Sequence, residues 1–373
     1  MGDLTIGLLG ALLATNQPVA VSNLVAEQTG LALPIRNEAD PAERELHNLM
    51  ISDDAAIDEV NDWINTNTIP RSDTNALAAL NVKIRSRLDV MKQGYETFLR
   101  DHPDSARGFL AYGSFLTDIG DEDGGKVQYE NSKQLDPKNP AVWNQLANYY
   151  GENGELTNAF ADYTEAIRLD PTEPVYYQNF ATTVYLYRKD VRDFYHINEQ
   201  QVFDKALGLY QQAMKLAPDD LVIATDYAES YYGIKPMRTN DALVAWTNAL
   251  NICKDETERE GVEVHLARTK IAAGFYDEAQ DELDIVTNAT FKDLKRRLIR
   301  SLAEHKNPPP DTTEAPGTNS VTEDTNNSPI TLTAVMKKTF TAEPSDPPAV
   351  TNLSAADTNL LELPPPIREQ KSP

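Results

Sequence analysis

A 34-residue interval recurs in the middle of this chain and constrains its fold more than any other feature. Three kinds of residue keep that interval, namely Pro103, Pro137 and Pro171; Tyr95, Tyr129 and Tyr163; and Gly120 and Gly154. A short unit repeated at a fixed interval cannot bury its own apolar face, so consecutive units must stack side by side. The chain is therefore predicted to contain a row of similar supersecondary units.

Residues 140–173 show what one unit contains. A first apolar stripe follows the helical spacing i, i+3, i+4 and i+7, and its members are Trp143, Leu146, Ala147 and Tyr150. A second stripe follows Gly154 and consists of Ala159, Tyr163 and Ala166. Asp170-Pro171 ends it, because proline cannot continue helical hydrogen bonding and restricts the residue before it. Each unit is predicted to be a pair of amphipathic helices.

This order of small and large residues resembles the tetratricopeptide repeat (TPR) family. The resemblance covers roughly residues 72–293 and implies about six repeats, of which the fourth has 13 extra residues near 186–199. It implies an all-α fold, a TPR-type right-handed helical solenoid with helical caps and a disordered C-terminal tail. In the sixth repeat, Glu263 and Lys270 stand where the family has large apolar residues.

Four segments are expected along the chain. Residues 1–39 form an apolar N-terminal segment, 40–71 a helical pair, 72–304 the repeat array with its capping helix, and 305–373 a disordered tail. Asp40 and Ser52 are predicted to begin the two N-terminal helices, and the acidic pairs 53–54 and 219–220 to cap helix starts. The tail is rich in Pro, Thr, Ser and Asn and cannot bury enough apolar area to offset its ordering entropy.

The apolar run at residues 4–14 leaves two interpretations open. It has the length of the apolar region of an export signal and is too short to span a bilayer. No Lys or Arg precedes it, and Asp3 has the wrong charge for a signal. The run is either an export signal or a buried N-terminal segment, so the chain is expected in the cytoplasm or, if exported, in the cell envelope.

Charge and residue usage exclude several function classes. The chain has 34 basic and 58 acidic residues, a net charge of -24, and no segment is basic overall, so nucleic acid and anionic membranes are poor partners. Cys253 is the one cysteine, which excludes an internal disulfide and a Cys-based zinc site. The five histidines lack ligand spacing, and no phosphate-binding glycine motif is present. We predict no enzyme, no catalytic residue, no metal and no cofactor.

The family resemblance implies that a partner protein or extended peptide binds the concave face formed by the first helix of each repeat. The candidate residues on that face are Asn144, Gln145, Asn148, Gln178, Asn179, Thr182, Tyr185, Thr225, Asp226, Glu229 and Tyr232. Side-chain amides both donate and accept hydrogen bonds, so they can hold a peptide main chain of any sequence. The predicted function is a non-enzymatic protein–protein interaction scaffold. The alternative is an exported structural or assembly factor of the cell envelope; the oligomeric state stays open.

One TPR subclass clamps a C-terminal carboxylate with two asparagines and several cations. Asn148 and Asn179 match the asparagines, but Asn144, Val222 and Asp226 occupy the places of the cations. We therefore expect no binding of that kind of terminal carboxylate.

Aromatic residues divide into two predicted sets. Four tyrosines at the core position of the repeat are expected to be packed inside, namely Tyr95, Tyr129, Tyr163 and Tyr210. Four others are expected to make exposed contacts, namely Tyr185, Tyr187, Tyr195 and Tyr232. The insertion near 186–199 is expected to lengthen its helices or form a protruding contact loop that can be deleted without loss of folding.

Overall fold

A computed structural model describes residues 39–66, 69 and 73–306. Fourteen α-helices fill this part of the chain, and it contains no strand, so the predicted all-α fold is confirmed. The described residues fall into two compact units, the first ending at Leu216 and the second beginning at Ala217. The apolar run at 4–14 and the predicted disordered tail lie outside the described residues.

The first unit contains nine helices in chain order. These are α1 Pro41–Thr66, α2 Thr74–Asp101, α3 Ala106–Asp118, α4 Glu122–Leu135, α5 Pro140–Glu152, α6 Leu156–Leu169, α7 Pro174–Leu186, α8 Arg188–Tyr195 and α9 Glu199–Leu216. They pair as hairpins α1–α2, α3–α4, α5–α6 and α7–α9, and each hairpin packs on the next. This unit is a short helical solenoid.

The second unit contains five helices. These are α10 Leu221–Ser230, α11 Thr239–Asn251, α12 Glu256–Ala273, α13 Tyr276–Ile285 and α14 Lys292–Lys306. Helices α10–α11 and α12–α13 form hairpins, and α14 packs on both helices of the second hairpin with Leu298 and Leu302 buried. Lys270 on α12 replaces the expected apolar contact with an ion pair to Glu282 at 2.7 Å.

Equivalent contacts 34 residues apart show that successive hairpins are alike. The indole Nε1 of Trp143 donates to the carbonyl oxygen of Pro137 at 2.9 Å, and the hydroxyl of Tyr177 donates to that of Pro171 at 3.2 Å. The turns of two hairpins also match, because Gly120 and Gly154 have φ of 81° and 77°. That left-handed conformation strains any residue with a Cβ, which explains why glycine recurs there.

Small residues hold the two helices of each hairpin close together. On α5 and α6, Ala147, Ala159 and Ala166 are fully buried. In the preceding hairpin the contact is tighter, because a Cβ added to Gly125 of α4 would lie 3.0 Å from the carbonyl oxygen of Gly113 on α3. The helices there meet backbone to backbone, which excludes any larger side chain.

The predicted repeat at 72–105 and the predicted helical pair at 40–71 are both wrong. Each region is dominated by one continuous helix, and α1 and α2 together form a single long hairpin. No Gly or Pro interrupts α2 where the turn was expected, and Ala78 and Ala79, assigned to close packing, are exposed. Ser52 caps no helix, since its hydroxyl donates within α1 to the carbonyl of Asn48 at 2.7 Å. The described residues therefore contain five short hairpins of the repeat type instead of six.

The insertion near 186–199 forms a helix rather than a loop. Val191 of α8 is fully buried, and the rings of Phe194 and Tyr195 lie 5.2 and 5.6 Å from that of Phe160 on α6. The expectation that Tyr195 makes an exposed contact is therefore wrong, and burial raises its pKa. Deleting this segment would uncover Phe160, so folding is not expected to tolerate the deletion.

The acidic pair at 53–54 lies inside α1 instead of capping a helix, whereas Asp220 does cap α10 by accepting from the backbone N–H of Ile223 at 3.0 Å. The carboxyl group of Asp53 is buried and accepts a hydrogen bond from the hydroxyl of Tyr95 on α2. Burial, which disfavours the charged carboxylate, raises the pKa of Asp53 to about 8. The α1–α2 hairpin therefore contains a carboxyl group that is protonated at neutral pH.

Replacing Ala147 with leucine tests the close helix contact. Ala147→Leu should lower the free energy of unfolding by about 1–3 kcal/mol, because the added atoms have no space at a fully buried position. Urea unfolding followed by circular dichroism measures the change. Ala161→Leu is the matched control on the exposed side of α6. Equal stability of Ala147→Leu and the wild type would contradict the proposed packing.

The pH dependence of stability tests the protonated carboxyl. A folded-state pKa above that of the unfolded chain means that folding takes up a proton, so this contribution to stability is lost as pH rises from about 4 to about 8. Between pH 5 and pH 8, Asp53→Asn should lose less stability than the wild type, by on the order of 2 kcal/mol. Asp62→Asn on the exposed side of α1 is the control. Parallel pH profiles for wild type and Asp53→Asn would refute the assignment.

Candidate functional site

A groove of about 430 Å³ runs across three successive hairpins of the first unit. Its lining comes mainly from α3, α5 and α7, which are the first helices of their hairpins, and from tyrosines on α4 and α6. This is the face on which the sequence placed a partner. The groove is lined by polar side chains, hydroxyls and carboxylates.

Four of the predicted site residues line this groove together. They are Gln145 and Asn148 on α5 and Asn179 and Thr182 on α7. Gln145 and Asn179 are 34 residues apart, and so are Asn148 and Thr182, so the groove has rows of equivalent polar side chains. Within α5, the amide nitrogen of Asn148 donates to Oε1 of Gln145 at 3.2 Å. That bond fixes the orientation of both amides.

The core tyrosines position these polar side chains. Tyr163 on α6 is 1% exposed, and its hydroxyl donates to Oδ1 of Asn148 at 2.7 Å. The same hydroxyl shares a hydrogen bond with Oγ1 of Thr183 on α7 at 3.0 Å, which links two hairpins. The hydroxyl of Tyr210 on α9 shares another with Oγ1 of Thr182 at 2.7 Å. Their predicted packing is confirmed, but the sequence analysis missed this second role.

Three other predicted residues are buried and do not line the groove. Asn144 and Thr225 are fully buried, and Gln178 is 7% exposed. Asn144 accepts a hydrogen bond from the amide of Asn179 at 3.3 Å, and the Thr225 hydroxyl donates back to the carbonyl of Leu221 at 2.9 Å. Placing them on the partner-binding face was therefore wrong, because neighbouring positions on a helix differ in direction by about 100°.

The remaining predicted residues lie elsewhere. Tyr185 packs against the guanidinium of Arg188, 5.0 Å from its ring, and does not line the groove. Asp226 and Glu229 are half-buried on α10 of the second unit. Tyr232 follows α10 and shares a hydrogen bond with Nδ1 of His265 at 3.2 Å, so it is a packing residue rather than an exposed contact.

One end of the groove is acidic. Asp118 and Glu152 are the last residues of α3 and α5, lie 34 residues apart and line the groove together with Glu122. Burial, reinforced by the charge of Asp54, raises the pKa of Asp118 to about 7. Desolvation and the charge of Glu122 raise the pKa of Glu152. Sequence reasoning missed this cluster because the acidic residues were not compared at the 34-residue interval.

The described residues offer no reactive centre. No group of three or more His, Cys, Asp or Glu side chains in 39–66, 69 or 73–306 is arranged to hold a metal ion. Burial raises the pKa of Cys253 to about 12, so its thiol is protonated. Burial lowers the pKa of His265 to about 3, so its imidazole is neutral. In that same part of the chain, no helix has the length and apolar character needed to cross a membrane.

Comparison with known proteins identifies one repeat directly. Residues 140–173, which are α5 and α6 with their flanking turns, match the family model described as the tetratricopeptide repeat. No curated protein matches the chain. Among solved structures, pilF of Pseudomonas aeruginosa is 14% identical with a TM-score of 0.42, and the matched region covers 69% of this chain and 98% of that one.

Two further solved structures show the same extent of similarity. A thermophilic TPR protein of Thermus thermophilus is 19% identical with a TM-score of 0.39, covering 53% of this chain and 100% of that one. YrrB, described as a TPR protein with an unusual peptide-binding site, is 13% identical with a TM-score of 0.41, covering 57% and 97%. These TM-scores are below 0.5, so the identification depends on the matched repeat and its neighbouring hairpins. The chain is a tetratricopeptide repeat protein.

Proposed function

We propose that this protein is a non-enzymatic scaffold that holds an extended segment of a partner protein in the groove of its first unit. The observation that supports this most is the repetition of polar side chains along the groove, with Gln145 and Asn179 in one row and Asn148 and Thr182 in another. A catalytic site has no need of such repetition, whereas an extended chain presents the same main-chain groups again and again.

The spacing of the hairpins suits an extended peptide. Packed helices lie roughly 8–10 Å apart, and an extended chain rises about 3.3 Å per residue. A bound segment would therefore meet equivalent groove side chains about every third residue. Side-chain amides accept from N–H groups and donate to carbonyl groups, so this contact does not depend on the partner's side chains.

The groove is also prepared before binding. The hydroxyls of Tyr163 and Tyr210 already hold Asn148 and Thr182 by hydrogen bonds of 2.7 Å. A side chain that is held in the bound orientation loses less conformational entropy when the partner arrives. Tight packing of the hairpins thus supports affinity as well as stability.

Substitution of the two groove asparagines tests this function. Peptides would first be selected by phage display on the full chain, and their affinities measured by isothermal titration calorimetry. The double variant Asn148→Ala, Asn179→Ala should bind about 1–3 kcal/mol more weakly, since each amide hydrogen bond contributes roughly 0.5–1.5 kcal/mol. That loss corresponds to a roughly 5- to 150-fold higher Kd.

The matched control carries Asn65→Ala and Asn75→Ala, two exposed asparagines on α1 and α2. Circular dichroism establishes that both double variants fold. Unchanged affinity of the groove variant, or an equal loss in the control, would reject the groove as the binding site. Failure of the display to enrich any peptide would reject peptide binding altogether.

The alternative function, a structural or assembly factor of the cell envelope, depends on the apolar run at residues 4–14, outside the described residues. Export would place the same groove in another compartment. N-terminal sequencing of the protein isolated from its native cells tests it. A mature N-terminus after residue 14, with the protein in the envelope fraction, would support export; an intact Met1 in the cytoplasmic fraction would contradict it.

A further inference from the structure

We propose that the partner segment carries a lysine or arginine whose side chain enters the acidic end of the groove, between Asp118, Glu122 and Glu152. The inference extends the function proposed above, because it assumes that the groove is the binding site. It adds a requirement on the partner's chemistry that the main-chain contacts do not impose.

The groove has negative charge and no opposing cation. Among its lining residues, all of which the structure describes, three are carboxylates and none is lysine or arginine. The nearby cations have other contacts. The ammonium of Lys126 lies 5.0 Å from the ring of Tyr149, and the guanidinium of Arg188 donates to the carbonyl of Tyr185 at 2.8 Å.

Two helix ends make this end of the groove more negative. Asp118 ends α3 and Glu152 ends α5, and neither helix has a basic residue in its last turn. The carbonyl end of a helix has partial negative charge, so a carboxylate there is unfavourable and a cation is favourable. Both helix ends therefore lack the kind of charge that a basic partner side chain would bring.

The carboxylates also repel one another. The charge of Glu122 contributes to the raised pKa of Glu152, and the charge of Asp54 to that of Asp118. A cation placed among them would reduce this repulsion as well as attract each group. The groove alone therefore has an unmet electrostatic demand.

The positions of the two sets of side chains suit a basic residue. Glu152 follows Asn148 by four residues on α5, which is about one helical turn or roughly 6 Å along the helix axis. A peptide main chain held at the row of Asn148 and Thr182 would lie about that far from the row of Asp118 and Glu152. Lysine and arginine have long flexible stems that can place their charge at such a distance from the main chain.

The test is a phage-display selection from a random peptide library on three forms of the full chain. They are the wild type, the groove variant Asp118→Asn, Glu122→Gln, Glu152→Gln, and the control variant Asp62→Asn, Asp89→Asn, Asp104→Asn. The control positions are exposed and lie outside the groove lining. Both variants lose three negative charges, so the overall charge of the protein changes equally.

Lysine and arginine should be enriched in peptides recovered on the wild type and the control, and not on the groove variant. A recovered basic peptide should bind the groove variant at least 10-fold more weakly than the wild type, with a weaker dependence on salt, and the control within about twofold. Circular dichroism establishes that all three proteins fold.

Three outcomes would overturn the inference. Recovered peptides could show no excess of lysine and arginine, the control could lose as much affinity as the groove variant, or the groove variant could recover the same basic peptides. If peptides bind and respond to Asn148→Ala, Asn179→Ala but show no basic preference, only the inference fails. If no peptide is recovered, the proposed function fails with it.

Discussion

The close approach of paired helices is the constraint on which the other features of this protein depend. Where Gly113 of α3 meets Gly125 of α4, no side chain separates the backbones, and buried alanines occupy the corresponding places in α5 and α6. Small side chains allow this distance, and large aromatic residues fill the space beside the contact. Because the contact recurs every 34 residues, each hairpin repeats the orientation of the one before it within the first unit.

This regularity turns single residues into rows. The tyrosine that fills the core of a hairpin also presents its hydroxyl to a polar side chain in the groove, as Tyr163 does to Asn148. The same interval places Asp118 and Glu152 at matching helix ends. Packing, the polar rows and the acidic end of the groove are consequences of one repeated geometry, and none requires a special loop or a reactive group.

Much of this structure could be predicted from the sequence, because small and aromatic residues at a fixed interval leave one arrangement of paired helices. The failures have local causes. Residues 72–105 kept several apolar markers but lacked a turn residue in the middle, so a single helix formed. Asn144 was assigned to the groove from helix phase alone, and it is buried because its amide accepts a bond from Asn179. The acidic end escaped notice because its residues come together only when hairpins stack.

A crystal structure of the full chain with a peptide selected on it tests the central claim most directly. The account predicts an extended peptide along α3, α5 and α7, with its main chain bonded to Gln145, Asn148 and Asn179 and a basic side chain against Glu152. A peptide bound outside this groove, or one lying in it as a helix with no main-chain bond to those amides, would contradict the account.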